Sequence, residues 1–181
     1  MQTNLAQTLA YIDQDEGPEV NISPDEPGGG SARGLTIEVW NEYNKAHGLP
    51  AVTIADLSKV TAALSGQIFQ WRYLDALRFN ELPTGIDYRM ADASITLGET
   101  GACILVQMCL SIWPTTGIMD DATLKAINAA DPKQLLYALD AAWLAWKHNW
   151  VTPGSVPGWD RYGHGWTARI LKVRARYQQM V

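Results

Sequence analysis

Long hydrophobic runs are absent from this sequence of 181 residues. The most apolar interior run, ACILVQMCLSIW, spans about twelve residues and contains Gln107, whereas a membrane-spanning helix needs ~20. The opening stretch MQTNLAQTLAYIDQDE has neither the basic start nor the apolar core of a secretory signal. We therefore expect a chain made in the cytoplasm without a signal peptide and without stable membrane insertion.

Cysteine and histidine are also scarce, which argues against metal and redox chemistry. Cys103 and Cys109 lie six residues apart, a spacing that places them on different faces of a helix and favours two buried free thiols. The three histidines are scattered and form no HExxH pattern. GGGSARG is followed by Leu35 rather than by a phosphate-binding lysine, and no GxSxG motif occurs. No metal or organic cofactor is implied.

Positive charge is scarce in the first part of the chain. Residues 1–100 carry 14 acidic and 6 basic side chains, and residues 101–181 carry 5 and 8. The basic tail RILKVRARYQQM could meet an anionic polymer such as nucleic acid or cell wall. Its apolar residues at helical spacing favour instead a terminal helix with a solvated basic face. We expect no nucleic-acid partner.

Helical periodicity runs through nearly all of the chain. Apolar residues at three- and four-residue spacing predict a helix from about Asn4 to Asp15, and Thr36 and Thr53 are typical N-caps of the next two helices. The glycines between residues 28 and 34 allow a tight hairpin. The prediction is a mainly α fold of the α+β type, a helical bundle with a short irregular β-hairpin near the active site.

The segment DQDEGPEVNISPDEPGGGSARGLT is too long for a plain connection and holds the candidate chemistry. Glu16 ends a predicted helix, where the partial negative charge of the helix terminus disfavours an ionised carboxylate. Asp25, Glu26 and Ser31 follow it. Two carboxyl groups, one protonated and one ionised, are the requirement for glycoside hydrolysis. The alternative is that these acids are solvated loop residues.

Aromatic residues in the last third of the chain form two groups. Trp143, Trp146 and Trp150 recur at i, i+3 and i+7, which is more typical of a core stripe than of a sugar platform. In PGSVPGWDRYGHGW the glycines would leave aromatic rings exposed on a loop, so this segment is a candidate for carbohydrate contact, with simple packing as the alternative. The residues concerned are Trp159, Tyr162 and His164.

The order of these motifs resembles that of the glycoside hydrolase family 108 muramidases, which are phage-type endolysins. Glu-Gly at 16–17, Pro-Gly-Gly at 27–29 and Gly-Leu-Thr at 34–36 are similar to the opening of that family. YLDALRFNELPTGIDYRMADASITLG is similar to its central run, with matches at Tyr73, Asp87 and Asp92. TTGIMDDATL and the closing Gly165-Trp166 resemble elements of the peptidoglycan-binding subdomain that usually follows.

The resemblance implies a lysozyme-like catalytic part at residues 1–90 and a helical peptidoglycan-binding subdomain at residues 91–181. It also implies that Glu16 is the catalytic acid. Glu26 or Asp25 would be the second acid, because one extra loop residue leaves the two alignments in disagreement, and Ser31 would hold a water. The substrate-binding residues that we infer are Tyr73, Asp87, Asp92, Thr96, Trp159 and Trp166.

The expected function is hydrolysis of the bond between N-acetylmuramic acid and N-acetylglucosamine in bacterial peptidoglycan, during host lysis by a phage or prophage. Such an enzyme acts in the periplasm or on the cell wall as a monomer, after delivery across the inner membrane by a holin or secretion partner. Pro18 stands where the family has a second glycine. It fixes its own φ and restricts Gly17, so altered specificity or lost activity are open outcomes. The alternatives are a noncatalytic wall-binding or virion structural protein, and a muramidase that serves protein export.

Overall fold

The computed structural model describes residues 4–22, 29–149 and 158–180. Two compact units divide the chain: Leu5–Ala76 form one, and Leu77 onward together with Asn4 form the other. Helices dominate both units, and the sheet is small and antiparallel, which confirms the predicted mainly α fold. The division of function at residue 90 stays a prediction; that position lies inside a helix of the second unit.

The first unit contains three α-helices and the sheet. Its elements in chain order are α1 (Leu5–Glu16), β1 (Val20–Asn21), β2 (Ser31–Ala32), β3 (Leu35–Thr36), α2 (Ile37–Ala46), a 3₁₀ helix (Ile54–Lys59), α3 (Ala62–Phe69) and a π-helical turn (Gln70–Leu74). Helix α3 packs against both α1 and α2, and the 3₁₀ helix packs against β2.

Threonine residues lie at the starts of α2 and of the 3₁₀ helix in this unit. The Thr36 side chain accepts a hydrogen bond from the backbone N–H of Val39, as predicted for an N-cap. Thr53 precedes the 3₁₀ helix, where the Asp56 carboxylate accepts hydrogen bonds from both the backbone N–H and the hydroxyl of Thr53. These bonds satisfy donors that a helix start would otherwise leave unpaired.

The sheet is a meander that ends in a two-residue hairpin. Strand β2 pairs with both neighbours, Ala32 lying opposite Val20 on β1 and opposite Leu35 on β3. The connecting residues Arg33 and Gly34 have φ values of 50° and 70°. Positive φ at both positions is the geometry of a type I′ turn, whose twist matches that of antiparallel strands.

The second unit is built around a long helix. Its elements are a 3₁₀ turn (Phe79–Glu81), α4 (Ile86–Cys109), α5 (Asp121–Ala129), α6 (Pro132–Asn149) and α7 (Gly158–Tyr177). Helices α4, α6 and α7 pack against one another. Gly98 interrupts α4 with φ 74° and ψ 164°, a kink that a side chain would disfavour. Of the three tryptophans predicted to form a stripe, Trp143 on α6 is fully buried and Trp146 is half-buried, and Trp150 lies outside the described residues.

A charged network joins the three packed helices. Arg89 on α4 donates to Asp140 on α6 at 2.8 Å, and both side chains are completely buried. Asp140 also accepts from Arg174 at 2.9 Å and from the Tyr177 hydroxyl at 2.7 Å, both on α7. Burial and the neighbouring Asp140 carboxylate hold the pKa of Tyr177 well above its usual value. The basic residues of the terminal helix therefore serve in part to bind buried acids.

Gln107 shapes the loop after α4. Its side-chain oxygen accepts from the backbone N–H groups of Thr116 and Gly117. Its amide nitrogen lies within hydrogen-bonding distance of the hydroxyls of Thr116 and Thr123 and of the Ile118 carbonyl. One buried side chain thus replaces the backbone pairing that a strand would supply.

One helix boundary differs from the sequence prediction. Helix α7 begins at Gly158, so the stretch that we predicted to be a loop forms its first turns. The glycines were misleading because Gly163 lies directly beneath Trp159: a Cβ built on Gly163 would come within 2.9 Å of the indole ring. Aromatic packing along the helix compensates for the low helix propensity of glycine.

Among the described residues, no helix combines the length and the apolar character needed to cross a membrane. Cys103 and Cys109 both lie on α4 as free thiols, Cys103 buried and Cys109 half-buried. Burial raises the pKa of Cys103 to about 11.

Candidate active site

Glu16 is the last residue of α1, and its half-buried side chain lies over the hairpin turn. A Cβ built on Gly34 would lie 2.7 Å from Cγ, 2.9 Å from Oε2 and 3.0 Å from Cδ of Glu16. Only a glycine at position 34 allows the hairpin and the end of α1 to approach so closely. Gly17 follows with φ 70° and precedes Pro18, and in this geometry Glu16 lies beside the hairpin.

The neighbouring residue of the turn binds the same helix. Nη1 of Arg33 lies 2.6 Å from Oδ1 of Asp13, one helical turn before Glu16. The side chains of Arg33 and Asp13 are only 25% and 29% exposed, so solvent screens this ion pair less than a surface pair. Sequence analysis missed this contact because the partners are 20 residues apart along the chain.

Of the other predicted catalytic residues, only Ser31 lies within the described part of the chain. Asp25 and Glu26 lie outside the described residues. Ser31 is half-buried on β2, three residues before Gly34, and pairs with Asn21 and Thr36 in the sheet. The structure therefore places Ser31 on the hairpin that supports Glu16.

Glu19 is an acid of this region that sequence analysis did not single out. Its carboxylate folds back over the Cα of Gly17, leaving no space for a side chain at that glycine. The backbone carbonyl of Glu19 also accepts a hydrogen bond from the N–H of Arg33 at 3.4 Å. Glu19 thus lies against Gly17 and is hydrogen-bonded to the hairpin turn.

Tyr73 lies on the π-helical turn that continues α3. Its ring is 5.9 Å from that of Phe69, and the guanidinium of Arg72 lies 5.4 Å from the ring centre. The same turn carries Trp71, which meets the ring of Tyr43 edge-on at 5.3 Å. π-Helical turns are rare and occur frequently at functional sites. The role of Tyr73 in binding substrate stays a prediction.

Asp87 lies buried at the start of α4. Its carboxylate accepts hydrogen bonds from the backbone N–H groups of Gly85 and Tyr88 and from the side-chain amide of Asn4, at 2.7–2.9 Å. Burial nevertheless raises the pKa of Asp87 above its ordinary value, although these hydrogen bonds act in the opposite direction. The bonds stabilise the N-terminus of the helix.

We expect Asp87→Asn to change how stability depends on pH. Because the pKa of native Asp87 is raised, the folded protein binds more protons than the unfolded chain between the ordinary carboxyl pKa and the raised one. This contribution to the free energy of unfolding is present below the ordinary pKa and is lost as pH rises through the raised one. Urea denaturation from pH 4 to 7 should therefore show wild type losing stability relative to the variant.

Asp56 supplies a control of opposite sign. Its pKa is lowered to about 2 by hydrogen bonds to Lys59 and Thr53. Its contribution is therefore present above the ordinary pKa and is lost as pH falls toward about 2. When the series is extended below pH ~4, the free energy of unfolding of Asp56→Asn should approach that of wild type. A parallel pH response of Asp87→Asn and wild type would contradict the assignment for Asp87.

Asp92 and Thr96, on the same helix, are engaged in packing contacts. Asp92 is buried and accepts from Nε of Arg169 at 2.8 Å. The Thr96 hydroxyl accepts from the indole N–H of Trp143 at 3.0 Å, and the Thr96 carbonyl accepts from Lys147 at 3.2 Å. These bonds join α4 to α6 and α7. Direct contact of either residue with substrate stays a prediction.

Trp159 and Trp166 belong to an aromatic cluster near the start of α7. Their rings are 6.1 Å apart, and the half-exposed ring of Tyr162 lies 5.7 Å from Trp166. The ammonium of Lys147 lies 5.4 Å from the ring centres of both Trp143 and Trp166. Burial lowers the pKa of Lys147. Beside Trp159, a groove of about 590 Å³ is lined by Asp160, Gly163, His164, Thr167, Ala168 and Leu171.

Within residues 4–22, 29–149 and 158–180, no three or more His, Cys, Asp or Glu side chains form a group that could hold a metal ion.

Comparison with known proteins identifies the family. The family model "Glycosyl hydrolase 108" matches residues 9–98, a range that includes Glu16 and the hairpin but leaves Trp159 and Trp166 outside. The structure of Brucella abortus SagA superimposes with a TM-score of 0.81 at 24% identity, covering 98% of this chain and 95% of that one, which shows a shared fold. No curated protein sequence matches the chain. The chain belongs to the glycosyl hydrolase 108 family and is a glycoside hydrolase, a muramidase that degrades peptidoglycan.

Proposed function

We propose that this enzyme cleaves the bond between N-acetylmuramic acid and N-acetylglucosamine, with Glu16 as the general acid. The observation that carries the proposal is the placement of Glu16, which ends α1 with its carboxyl group laid against the Gly34 turn. A carboxyl group held between a helix terminus and a hairpin turn has a defined direction in which to deliver its proton. Protonation of the bridging oxygen is the step that both classes of glycosidase require.

The second acid is Asp25 or Glu26 in this proposal. One of them assists the attacking water or stabilises the oxocarbenium-like transition state, and Ser31 helps to hold the water. An inverting enzyme keeps its two carboxyl groups ~6.5–9.5 Å apart, whereas in a retaining enzyme they are ~5–5.5 Å apart. The anomeric configuration of the first-formed product, read by NMR, distinguishes the two mechanisms.

Mass analysis of the fragments released from purified peptidoglycan tests the bond assignment. A muramidase leaves N-acetylmuramic acid at the new reducing end, and borohydride reduction marks that sugar. Reduced N-acetylglucosamine at the new ends would contradict the proposal, because the other glycosidic bond would then have been cut.

The remaining predicted residues enter the proposal as binding residues. Tyr73 on the π-helical turn would contact the glycan from the catalytic unit. Asp87, Asp92 and Thr96 remain candidates for substrate contact, and their bonds within the helix bundle favour an indirect role in holding α4 in place. Trp159 and Trp166 would bind wall sugars or stem peptides on the face of α7.

Trp159→Ala tests the aromatic cluster. We expect the full chain, carried in a Glu16→Gln background to prevent turnover, to lose roughly tenfold in affinity for insoluble peptidoglycan, or about 1.4 kcal/mol. Tyr137→Ala is the control, because Tyr137 is an exposed aromatic residue of α6 outside the cluster. Sedimentation with cell-wall sacculi measures both, and equal binding of the two variants would remove Trp159 from the proposed surface.

The biological setting is part of the same proposal. The enzyme would act in the periplasm or on the wall during phage-directed lysis, reaching its substrate through a holin or a secretion partner, and would act as a monomer. Expression in a host with and without a holin tests the delivery step, since lysis only with the holin is expected. Sedimentation equilibrium tests the oligomeric state.

A further inference from the structure

The hairpin turn contacts helix α1 at two successive residues. Gly34 lies beneath Glu16, and Arg33 binds Asp13 one helical turn earlier. Residues three apart on a helix lie on the same face, so the two contacts form a single seam. The turn cannot shift along α1 without breaking the Arg33 ion pair or moving away from Glu16.

Arg33 has a backbone conformation that ordinary residues avoid. Its φ of 50° lies in the left-handed region, which is unfavourable for a residue with a side chain. Pairing of Ala32 with Leu35 holds the turn closed, and the ion pair with Asp13 offsets part of the strain. A glycine would adopt this conformation without strain, so the side chain at position 33 has another use.

Arg33 also supplies positive charge beside Glu16. On α1, on the described part of the hairpin and on α3, which packs against α1, Arg33 is the sole cation. The acidic side chains of the same region are Asp13 and Asp15 on α1 and Glu19 just after it, and α3 carries no titratable side chain. The 3₁₀ helix that packs against β2 carries Lys59, which binds Asp56, and α2, which packs against β3, carries Glu38, Glu42 and Lys45. An unpaired guanidinium next to Glu16 would favour its ionised form, which cannot donate a proton.

We propose that Asp13 and Arg33 are positioning residues of the hydrolase: their ion pair holds the Arg33–Gly34 turn beneath Glu16, and each partner neutralises the other's charge beside the acid. The inference rests on the proposed role of Glu16. It assigns a function to a pair in which neither member touches the scissile bond. The pair acts on the reaction through the position of Glu16 and through the electrostatic potential at its carboxyl group.

Two single variants should move the pH profile in opposite directions. Asp13→Asn leaves the Arg33 charge unpaired, so the alkaline limb of the kcat profile, where the acid loses its proton, moves to lower pH. Arg33→Gln leaves the Asp13 charge unpaired and moves that limb to higher pH. Loss of the ion pair also lets the turn shift, so each variant is expected to lose on the order of tenfold in kcat with little change in KM.

The measurement is reducing-end release from a soluble, uncrosslinked peptidoglycan fragment, with the full chain, at a series of pH values. Glu42→Gln is the matched control, because it breaks the Arg72–Glu42 ion pair of the same unit, where the N–O distance is 3.2 Å. Its kcat and its alkaline limb should equal those of wild type. Melting curves establish that each variant is folded. If Asp13→Asn does not fold, the shift of the alkaline limb in Arg33→Gln alone tests the proposal.

Failure of this inference differs from failure of the proposed function. If Glu16→Gln is inactive while Asp13→Asn and Arg33→Gln behave like Glu42→Gln, the positioning role is overturned and the general acid stands. The proposal is also overturned if the alkaline limb moves in the same direction in both variants. The two variants leave charges of opposite sign unpaired, so a shift in one common direction would come from a structural disturbance and not from the charge. If Glu16→Gln turns over like wild type, the proposed function itself fails.

Discussion

Glu16→Gln is expected to lower the rate of peptidoglycan hydrolysis by about 10²- to 10⁴-fold, the usual contribution of a general acid. The amide keeps the shape of the side chain and its packing over Gly34 but has no acidic proton to deliver. Because the substitution is nearly isosteric, the melting temperature should stay close to that of wild type. Loss of turbidity of purified cell walls measures the rate, and reducing-end release from a soluble fragment confirms it.

The control for this experiment is again Glu42→Gln, the same chemical change at an exposed position of the same unit. It should clear cell walls at the wild-type rate. The decisive comparison is between the clearing rates of Glu16→Gln and Glu42→Gln. Equal clearing by both would show that the proton comes from another group, and Asp25, Glu26 and Glu19 would be the next residues to replace.

Gly34→Ala is expected to reduce activity almost as strongly. The alanine Cβ would lie 2.7 Å from Cγ of Glu16, and real Cβ atoms essentially never approach another atom so closely. The acid must therefore move or the hairpin must separate from α1. A displacement of about 1 Å at a catalytic group can lower the rate by on the order of 10²-fold. The positive φ adds a folding cost of about 1–2 kcal/mol.

Gly48→Ala separates these two effects. Gly48 has φ 67°, close to the 70° of Gly34, but a Cβ built on Gly48 meets no heavy atom within 4 Å. Gly34→Ala should lose at least as much free energy of unfolding in urea as Gly48→Ala, because the clash with Glu16 adds to the φ cost that the two variants share. Only Gly34→Ala should lose turnover per folded molecule. Wild-type turnover by folded Gly34→Ala would show that the contact with Glu16 has no part in catalysis.

The sequence predicted those parts of the fold that depend on local chemistry. Helix α1 followed from its apolar spacing, the start of α2 from the threonine at position 36, and the hairpin from the cluster of glycines. Each of these signals lies within a few residues of the structure that it specifies. Glu16 could be singled out for the same reason, since a carboxyl group at a helix end before a glycine is visible in the sequence.

Features that depend on distant partners could not be read in this way. The Arg33–Asp13 ion pair joins residues 20 positions apart, and nothing near Arg33 indicates its partner. The start of α7 was missed because glycine normally disfavours helix, and the packing of Trp159 onto Gly163 becomes apparent only once the helix exists. Asp87 was singled out as a binding residue, and its hydrogen bond to Asn4 spans 83 positions.

In the loop after α4, the hydrogen-bonding groups that hold the backbone in place are distinct from the large side chains that are exposed to solvent. The glutamine amide holds backbone groups and two threonine hydroxyls, while Trp113 and Ile118 point outward with 70% and 63% of their surface exposed. Because these two side chains are largely exposed, their replacement would alter the surface of the second unit at this loop while leaving the hydrogen bonds of Gln107 in place. Such a loop can diversify its outer face without any compensating change in the interior.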